Sequence, residues 1–509
     1  MCLFAYGIDP HLDRLLEKLH GILLYSAPTL GPTLQDQAPL PPTEERYKVT
    51  GYADDCKPAI TSMAEFKLVE HETRLFERAS GSQLHRDLHQ EKVKFLPLGR
   101  WRGQLTQEDL PMECRYIKIS DHLDMLGAEL YVSFFKTKQH SGKKLVRKFS
   151  DVSGPWRMRF MPLTQRPWSV NSYLLPKAYF RCHLIPLRKG DISAMKKSIN
   201  AFVFSDQYEK PTDLAKYRPK LQGGLGLHHI ESKALAMQIK TFIELAISTI
   251  FQQSLFYTAA YNFYVLETTD FDPGLPPAVT KEAISIIKAA ILDNLEVETV
   301  SAKQWYNPLL EKDVLQETIL EPDGTMSSAA IKTKSELEHP QYDWNCIWWR
   351  ARMPGLTNDQ RSFFFKFFHN LLPSQERQMR TCRNVDSPNC LLCNADAVDS
   401  VWHHAFTSCS HTDEAMTWMV QFLSSLDPAT TNQRAIWLQF DTLNPASELA
   451  AVWLTASPLS YSWSRRKKKD PIILEALKSS IRTEASFLFA SRHHSNTGVL
   501  LLELLDNKP

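Results

Sequence analysis

The pattern of apolar and polar residues predicts a helix at the start of the chain and a β-hairpin soon after it. Leu3–Leu24 carries apolar residues at helical spacing along one face. Tyr47, Val49 and Gly51 alternate with polar neighbours, and the apolar run Cys56–Ile60 follows. Two such runs around a tight turn are typical of a hairpin. We therefore expect two short strands with the adjacent carboxylates Asp54 and Asp55 at the tip.

Further elements are predicted along the whole chain. A helix is expected from Met63 to Ser80, with Gly81 as its C-terminal cap. Alternation predicts strands over Lys92–Leu98 and Leu123–Leu130, and Pro322-Asp323-Gly324 is typical of a turn. Helical periodicity marks the remaining apolar segments: Ala234–Phe251, Ala283–Leu295, Phe363–Leu372, Glu448–Leu454 and Ile472–Phe489.

Length and composition change this picture in two ways. A chain of 509 residues is too long for a single hydrophobic core, so several domains are expected. Nine cysteines with no predicted signal peptide favour a reducing environment and free thiols or metal ligands. No apolar run is long enough to span a bilayer, so we expect an intracellular protein with no membrane partner and with the nucleus as one possible location.

Local charge adds a candidate nucleic-acid surface, although the net charge is only +2. Basic residues crowd 136–197 with few acidic residues between them, and aromatic residues are interleaved. Basic side chains of this kind can neutralise phosphates. The alternative is a solvated helix face with the aromatic residues in a core. The proposed contacts are Tyr52, Lys143, Lys144, Arg147, Lys148, Arg157 and Arg159.

A glycine-rich segment and a second basic run stand apart from the periodic pattern. Pro219–Leu227 has three glycines within four residues, which indicates unusual backbone angles or close packing. It is neither a phosphate loop nor a dinucleotide fingerprint, because no strand leads into it and no Lys-Ser/Thr follows. The basic run Arg465–Lys469 is expected between two helices as an exposed loop, a nuclear address or a phosphate contact.

Four cysteine and histidine residues have the spacing of a zinc site. Cys390 and Cys393 form a Cys-x2-Cys pair, and His404 and Cys409 complete a Cys3His set. His403 and Cys382 remain alternative ligands, and two reduced cysteines that happen to lie near a histidine remain the alternative to a metal site. A catalytic zinc site would need an open coordination position on the metal and a general base nearby. The sequence around these four residues offers neither, so a structural Zn²⁺ is expected.

The segment Tyr52-Ala53-Asp54-Asp55 resembles the catalytic hairpin of reverse transcriptases, and its surroundings resemble the non-LTR (LINE-type) retrotransposon branch. Met125-Leu126-Gly127 is similar to the hairpin that grips the primer end in that family. The turn Gly223–Leu227 resembles the one that follows the thumb, and the Cys3His spacing resembles the zinc element near the family's C-terminus. The resemblance extends from Leu3 to about Cys409.

The resemblance implies an α+β fold arranged as a partial reverse-transcriptase palm and a series of mostly helical regions. The expected regions are half a palm over 1–130, a helical thumb over 131–260, a helical connector over 261–342, a zinc-binding region over 343–425 and a helical basic tail over 426–509.

The resemblance also implies RNA-directed DNA polymerase activity on an RNA or DNA template–primer. Asp54 and Asp55 would then hold Mg²⁺ together with a third carboxylate from an earlier strand. That carboxylate and the fingers are expected upstream of Met1, so we expect no polymerase activity from this chain alone unless another chain supplies them. The alternative is a non-catalytic nucleic-acid-binding protein that uses the basic thumb and the zinc element.

Overall fold

The structure is a computed structural model, and it describes the greater part of the chain. The described residues are 14–15, 17–19, 22–25, 45–47, 49–52, 55–81, 84, 86, 93–98, 101–125, 128–182, 185–205, 211–247, 265, 280–293, 295–297, 299–320, 326–330, 332–372, 387–390, 392–395, 404–440, 443–490 and 495–506. The fold is mostly helical with few strands, which is compatible with the expected α+β class. The palm and thumb arrangement stays a prediction.

The described strands form two-stranded sheets. The antiparallel pairs are β1 (Ile22–Tyr25) with β2 (Glu45–Tyr47), β3 (Val49–Tyr52) with β4 (Asp55–Pro58), β7 (His122–Met125) with β8 (Ala128–Tyr131), and β9 (Gln316–Leu320) with β10 (Met326–Ala330), while β5 (Lys94–Phe95) pairs in parallel with β6 (Lys118–Ile119).

The described α-helices are numbered in chain order. They are α1 (Met63–Ser80), α2 (Phe134–Arg157), α3 (Arg166–Ser169), α4 (Leu175–Cys182), α5 (Lys189–Val203), α6 (Asp213–Tyr217), α7 (Ile230–Ile247), α8 (Lys281–Leu292), α9 (Ala302–Leu310), α10 (Lys334–Glu338), α11 (Trp344–Arg350), α12 (Asn358–Phe368), α13 (Ser410–Leu426), α14 (Asn432–Ile436), α15 (Pro445–Lys468), α16 (Leu474–Ala490) and α17 (Ser495–Asp506). π-Helical turns lie at Val170–Leu174, Glu311–Leu315 and His404–Ser408.

The chain divides into two compact units. Unit 1 comprises Met1–Lys148, Lys177–Ser193 and Glu231–Asn307, and unit 2 comprises Phe149–Pro176, Ala194–Ile230 and Pro308–Pro509. The predicted division into five regions stays a prediction.

In unit 1, the predicted hairpin is confirmed in its two strands. Tyr52 pairs with Asp55 at the last register position of β3 and β4. Helix α1 follows, with Ser62 and Glu65 forming a capping box that satisfies backbone N–H groups at its start. Gly81 ends the helix in a left-handed conformation with φ 71°, as the sequence predicts for a glycine cap.

A small apolar cluster holds α1 in unit 1. Phe66, Leu110 and Cys114 are buried, and Trp101 packs against them. The rings of Phe66 and Phe95 lie edge to face with centroids 4.9 Å apart, a favourable geometry for aromatic pairs. The cluster therefore joins α1 to the short β5–β6 sheet.

Unit 2 has the larger core, which is rich in aromatic residues. Helices α11, α12, α13, α15, α16 and α17 contribute to it. Trp348, Phe364, Phe368, Trp437 and Trp453 are among its largest fully buried side chains. Burial of many large apolar surfaces in one cluster supplies most of the favourable free energy of folding.

The glycine-rich segment forms a tightly packed turn against this core. Gly223 and Gly226 have left-handed φ values of 85° and 64°. A Cβ atom on Gly223 would lie 2.3 Å from the Trp348 ring, and one on Gly224 would lie 1.8 Å from the carbonyl oxygen of Arg218. The prediction that these glycines serve unusual backbone angles and close packing is therefore confirmed.

Three sequence predictions about elements need correction. Residues 14–15 and 17–18 are helical, but the helix expected as far as Leu24 is wrong at its end, since Ile22–Tyr25 is strand β1. A short apolar run fits either state, and pairing with β2 decides between them. The single strand expected over Leu123–Leu130 is instead the β7–β8 hairpin.

The third correction concerns the basic run near the C-terminus. Arg465–Lys468 forms the last turn of α15 and is not an interhelical loop, and Lys469 ends the helix with φ 59°. Cations at this end interact favourably with the helix dipole, which explains why the run continues the helix.

Other predictions are changed in extent. The strand expected over Lys92–Leu98 is limited to Lys94–Phe95. The predicted connector contains the β9–β10 hairpin in addition to helices, and its predicted turn at Pro322–Gly324 lies outside the described residues. Within the described part of the chain, no helix combines the length and apolar character that crossing a membrane requires.

Candidate metal centre and basic helix face

Three cysteines and one histidine of unit 2 come together as the sequence predicts. The ligand atoms of Cys390, Cys393, His404 and Cys409 all lie within 4.8 Å of one another. Cys393 Sγ is 3.2 Å from His404 Nε2, and Cys390 Sγ is 3.9 Å from Cys409 Sγ. The last distance is almost twice the length of about 2.05 Å for a disulfide bond, so these are thiols.

A tight turn presents the first two sulfurs. The N–H of Asn394 donates to the carbonyl oxygen of Cys390 at 3.0 Å, and the N–H of Cys390 donates to Ala395 O at 2.9 Å. Asn394 has a left-handed φ of 57°, which asparagine tolerates better than most residues. The N–H groups of Leu392 and Cys393 point at Cys390 Sγ from 3.4 and 3.5 Å.

A π-helical turn and the start of α13 present the other two ligand atoms. The hydroxyl of Ser408 lies 3.3 Å from His404 Nδ1 and thus orients the ring so that Nε2 faces Cys393. Cys409 is the N-cap residue of α13, which is 17 residues long.

The electrostatic surroundings favour negative charge on Cys390. Burial opposes ionisation of this thiol, but the N–H groups of Cys393 and Leu392, helped by His404, outweigh burial and lower the pKa of Cys390. Arg466 of α15 donates from Nη2 to Cys390 Sγ at 2.7 Å. By contrast, burial raises the pKa of Cys393, and the neighbouring thiols of Cys390 and Cys409 add to the rise.

The donor set fits a tetrahedral metal ion. Zinc bonds sulfur at about 2.3 Å and imidazole nitrogen at about 2.0 to 2.1 Å, so ligand atoms on a tetrahedron around it lie about 3.5 to 3.8 Å apart. The distances in the cluster bracket these values. A divalent cation would also let three thiolates coexist, which their mutual repulsion otherwise opposes. The cluster could therefore hold a metal such as zinc.

Burial and the number of protein ligands both identify the cluster as closed. Cys390, His404 and Cys409 are buried, and Cys393 is partly buried. Four protein ligands complete a tetrahedron without a position for water or substrate, which is typical of structural zinc. Among the residues that the structure describes, no second group of three or more His, Cys, Asp or Glu residues could hold a metal ion.

The structure describes only some of the residues proposed as alternative zinc ligands or as magnesium ligands. His403, Cys382 and Asp54 lie outside the described residues. Asp55 is the first residue of β4, and Tyr52 is the last residue of β3. Asp55 and Tyr52 are thus paired across the end of the hairpin, whereas a magnesium site there stays a prediction.

The predicted basic contacts share one helix and its C-terminal extension. Lys143, Lys144, Arg147 and Lys148 are exposed on α2, and Arg157 and Arg159 are exposed at and just beyond its end. Lys144 is engaged with carboxylates, since its Nζ lies 2.8 Å from Glu129 Oε1 and 3.4 Å from Asp124 Oδ1.

The opposite face of α2 is buried. Buried side chains recur on it every four residues, at Thr137, Ser141, Leu145, Phe149 and Ser153, and Gly142 beside them is buried too. This regular spacing separates a packed stripe from the basic residues. The basic face of α2, defined here as Lys143, Arg147 and Lys148, is therefore presented to solvent.

Sequence reasoning missed two residues that support the cluster. Ser408 lies four positions after His404, and this i, i+4 spacing on a helical turn is a signal that could have identified it. Arg466 is 76 positions away from Cys390. The basic run that contains Arg466 gives no sign of this contact, which only the packing of α15 creates.

Fold and site together define a mostly helical protein with a closed Cys3His cluster and a one-sided basic helix. In comparisons with known proteins, no protein-family model matches the chain and no curated protein matches it significantly in sequence.

Proposed function

We propose that this protein is a nucleic-acid-binding protein related to non-LTR retrotransposon reverse transcriptases and that its Cys3His cluster holds a structural zinc ion. The observation that carries the proposal of binding is the segregation of α2 into a buried stripe and a basic face. The resemblance of the chain to that family supplies the kind of nucleic acid, a template–primer.

The basic face has the chemistry that phosphates require. Lys143, Arg147 and Lys148 reach solvent and make no ion pair with the residues that the structure describes. Their charges are therefore available to replace the counterions of a nucleic-acid backbone, which gives affinity that falls steeply with salt. The spacing of 143 and 147 puts these two side chains one helical turn apart.

The zinc ion would act as a structural clamp. It would join the 387–395 turn, the π-helical turn at His404–Ser408 and the start of α13 through four side chains. Closed zinc sites of this kind contribute directly to folding. In this proposal the metal shapes unit 2 and takes no part in a reaction.

Binding to duplex DNA and duplex RNA across a salt series tests the proposal. The triple variant Lys143→Gln, Arg147→Gln, Lys148→Gln is expected to lose affinity and to flatten the salt dependence on DNA by about 0.9 for each phosphate that is no longer neutralised. A control that also removes three charges is Lys281→Gln, Lys303→Gln, Lys312→Gln, since these lysines are exposed on other helical segments. Wild-type protein that fails to bind at low salt would refute the proposal, as would equal losses in the two triple variants.

A second candidate function is RNA-directed DNA polymerisation. The observation that favours it is the register of the β3–β4 hairpin, in which Tyr52 pairs with Asp55 and two residues connect the strands. This arrangement suits carboxylates that hold Mg²⁺ at a hairpin tip. Primer extension on an RNA template that Asp54→Asn abolishes would establish this activity. Binding of the template–primer without primer extension would support non-catalytic nucleic-acid binding instead.

A further inference from the structure

A group of large apolar side chains is exposed in unit 2 just after the end of α2. The exposed fractions are 88% for Met158, 90% for Phe160, 55% for Trp168 and 56% for Tyr173. Exposed apolar side chains that lie singly need no explanation, but the rings of Trp168 and Tyr173 contact each other, and adjoining exposed apolar side chains mark an interaction site.

Three of the rings in this region form a chain that begins in the core. Trp156 packs on the buried Phe202 with centroids 5.5 Å apart, and Tyr173 lies edge to face with Trp156 at 6.3 Å. Trp168 in turn lies edge to face with Tyr173 at 5.7 Å and 82°. In an edge-to-face pair the edge of one ring meets one face of the other, so each ring keeps at least one face clear of that neighbour, on which a planar ligand can stack.

Hydrogen bonds to the glycine-rich turn fix the segment that carries Trp168 and Tyr173. Tyr173 lies in the π-helical turn at Val170–Leu174, a kind of turn that is frequent at functional sites. In the same turn, Asn171 Nδ2 donates to Gly226 O at 2.8 Å, and Asn171 Oδ1 accepts from the N–H of His228 at 3.0 Å. The glycine-rich turn thus holds the π-helical turn in place while Tyr173 projects outward.

A second anchor fixes the connection between α2 and α3. Arg166 is buried, its Nε donates to Met161 O at 2.8 Å, and its Nη1 donates to Val203 O at 3.0 Å. The exposed aromatic side chains therefore stand on a backbone that is tied to the rest of unit 2. A rigid aromatic surface loses little conformational entropy when it binds a ligand.

The charge of this region is positive. Positions 152–176 contain no Asp or Glu, and the two exposed arginines Arg157 and Arg159 make no ion pair with the residues that the structure describes. A positive surface of this kind is more complementary to an anionic ligand than to a typical protein partner, whose surface is neutral or carries charges of both signs.

We propose that Trp168 and Tyr173, here called the aromatic platform, stack on unpaired bases of a single-stranded segment of RNA or DNA while Arg157 and Arg159 contact its phosphates. The proposal rests on the proposed nucleic-acid binding and adds to it a class of ligand and a site. Aromatic stacking beside cations is the general means by which proteins bind single strands without sequence preference.

The test compares single strands with a duplex, using the full-length protein. Fluorescently labelled oligo(U) RNA, oligo(T) DNA and a blunt DNA duplex, all of equal length, are titrated at one salt concentration. The double variant Trp168→Ala, Tyr173→Ala is expected to bind the single strands about 10- to 100-fold more weakly and to bind the duplex as the wild type does. The matched variant Trp168→Phe, Tyr173→Phe keeps two rings and is expected to retain most of the affinity for single strands.

Salt dependence separates stacking from charge. The Ala variant is expected to keep the wild-type salt slope for single strands, whereas Arg157→Gln, Arg159→Gln lowers that slope by about 0.7 for each phosphate that is no longer neutralised. Quenching of tryptophan emission by oligo(U) supplies a readout in the intact protein. The part of the quenching that Trp168→Phe removes belongs to Trp168 itself.

The outcomes are distinct for the two proposals. Unchanged single-strand affinity in the Ala variant, with no loss of quenching in Trp168→Phe, overturns the aromatic platform as a stacking site. If duplex binding in that case still depends on the basic face of α2, the proposed nucleic-acid binding is supported and only the aromatic platform is refuted. If the wild-type protein binds none of the three probes at low salt, both proposals fail.

Discussion

The Cys3His cluster and the basic face of α2 are two kinds of candidate site. In the cluster, four ligand atoms from one tight turn, a π-helical turn and the start of α13 lie within 4.8 Å of one another, and three of the four residues are buried. On α2, the basic residues come from one helix and face solvent side by side. The cluster is closed and allows few ligands, whereas the basic face is open and accepts any phosphate backbone.

This difference determines how each region should respond to substitution. A tetrahedral metal ion needs all of its ligands, so the removal of one side chain should have a large effect on metal binding. Charges on an exposed face act on phosphates nearly independently, so the removal of one charge should have a small and graded effect. The predictions below test this contrast, from the largest expected effect to the smallest.

The largest effect is expected from the replacement of a cysteine ligand. Cys409→Ser should abolish stoichiometric zinc binding and lower the melting temperature of unit 2, because binding of structural zinc contributes an apparent free energy of about 10 to 16 kcal/mol in small zinc-binding peptides. Metal analysis of purified protein and thermal unfolding with and without a chelator measure both effects.

Cys346→Ser is the matched control, because Cys346 lies on α11 outside the cluster and is not fully buried. It should keep the zinc and the response to chelator. One zinc per chain in Cys409→Ser would contradict the assigned ligand set.

An intermediate effect is expected from Arg466, which touches a ligand and is not itself a ligand. Arg466→Met removes the hydrogen bond of 2.7 Å to Cys390 Sγ. Loss of a side chain that hydrogen-bonds to a metal ligand typically lowers metal affinity by about 10- to 100-fold. Competition with a chromophoric chelator measures the change in zinc affinity.

The neighbouring Arg465 supplies a control of the same charge. It lies over the Tyr461 ring and pairs with Asp470 at 3.2 Å. Arg465→Met should leave zinc affinity unchanged. Equal losses in the two variants would show that the basic run acts through its overall charge and not through the hydrogen bond to Cys390.

The smallest effect is expected on the basic face, from two adjacent lysines. Lys143→Gln should weaken duplex binding a few-fold and reduce the salt slope by about 1. Lys144→Gln should do less, because Glu129 and Asp124 already hold the charge of Lys144. Duplex affinity of both variants is measured across a salt series. A larger loss of affinity in Lys144→Gln than in Lys143→Gln would contradict the assignment of Lys143 to the basic face of α2.

The features that the sequence predicts correctly are those with local causes. The β3–β4 hairpin, the cap of α1 at Gly81 and the Cys-x2-Cys turn each depend on residues within a few positions of one another. Backbone preferences and hydrogen bonds at this range are fixed by residue type.

The features that the sequence does not predict depend on distant partners. Ile22–Tyr25 becomes a strand because it pairs with β2, and Arg466 reaches Cys390 because α15 packs beside the cluster. The exposure of Trp168 and Tyr173 also follows from tertiary packing, since residues of these types are more often buried. Periodicity alone does not distinguish these outcomes.

X-ray absorption at the zinc edge of the purified wild-type protein tests the central claim, a closed Cys3His metal centre, most directly. The account predicts one zinc per chain with three sulfur neighbours at about 2.3 Å and one nitrogen neighbour at about 2.0 to 2.1 Å. Protein that binds no zinc, or zinc with only oxygen and nitrogen neighbours, would contradict it.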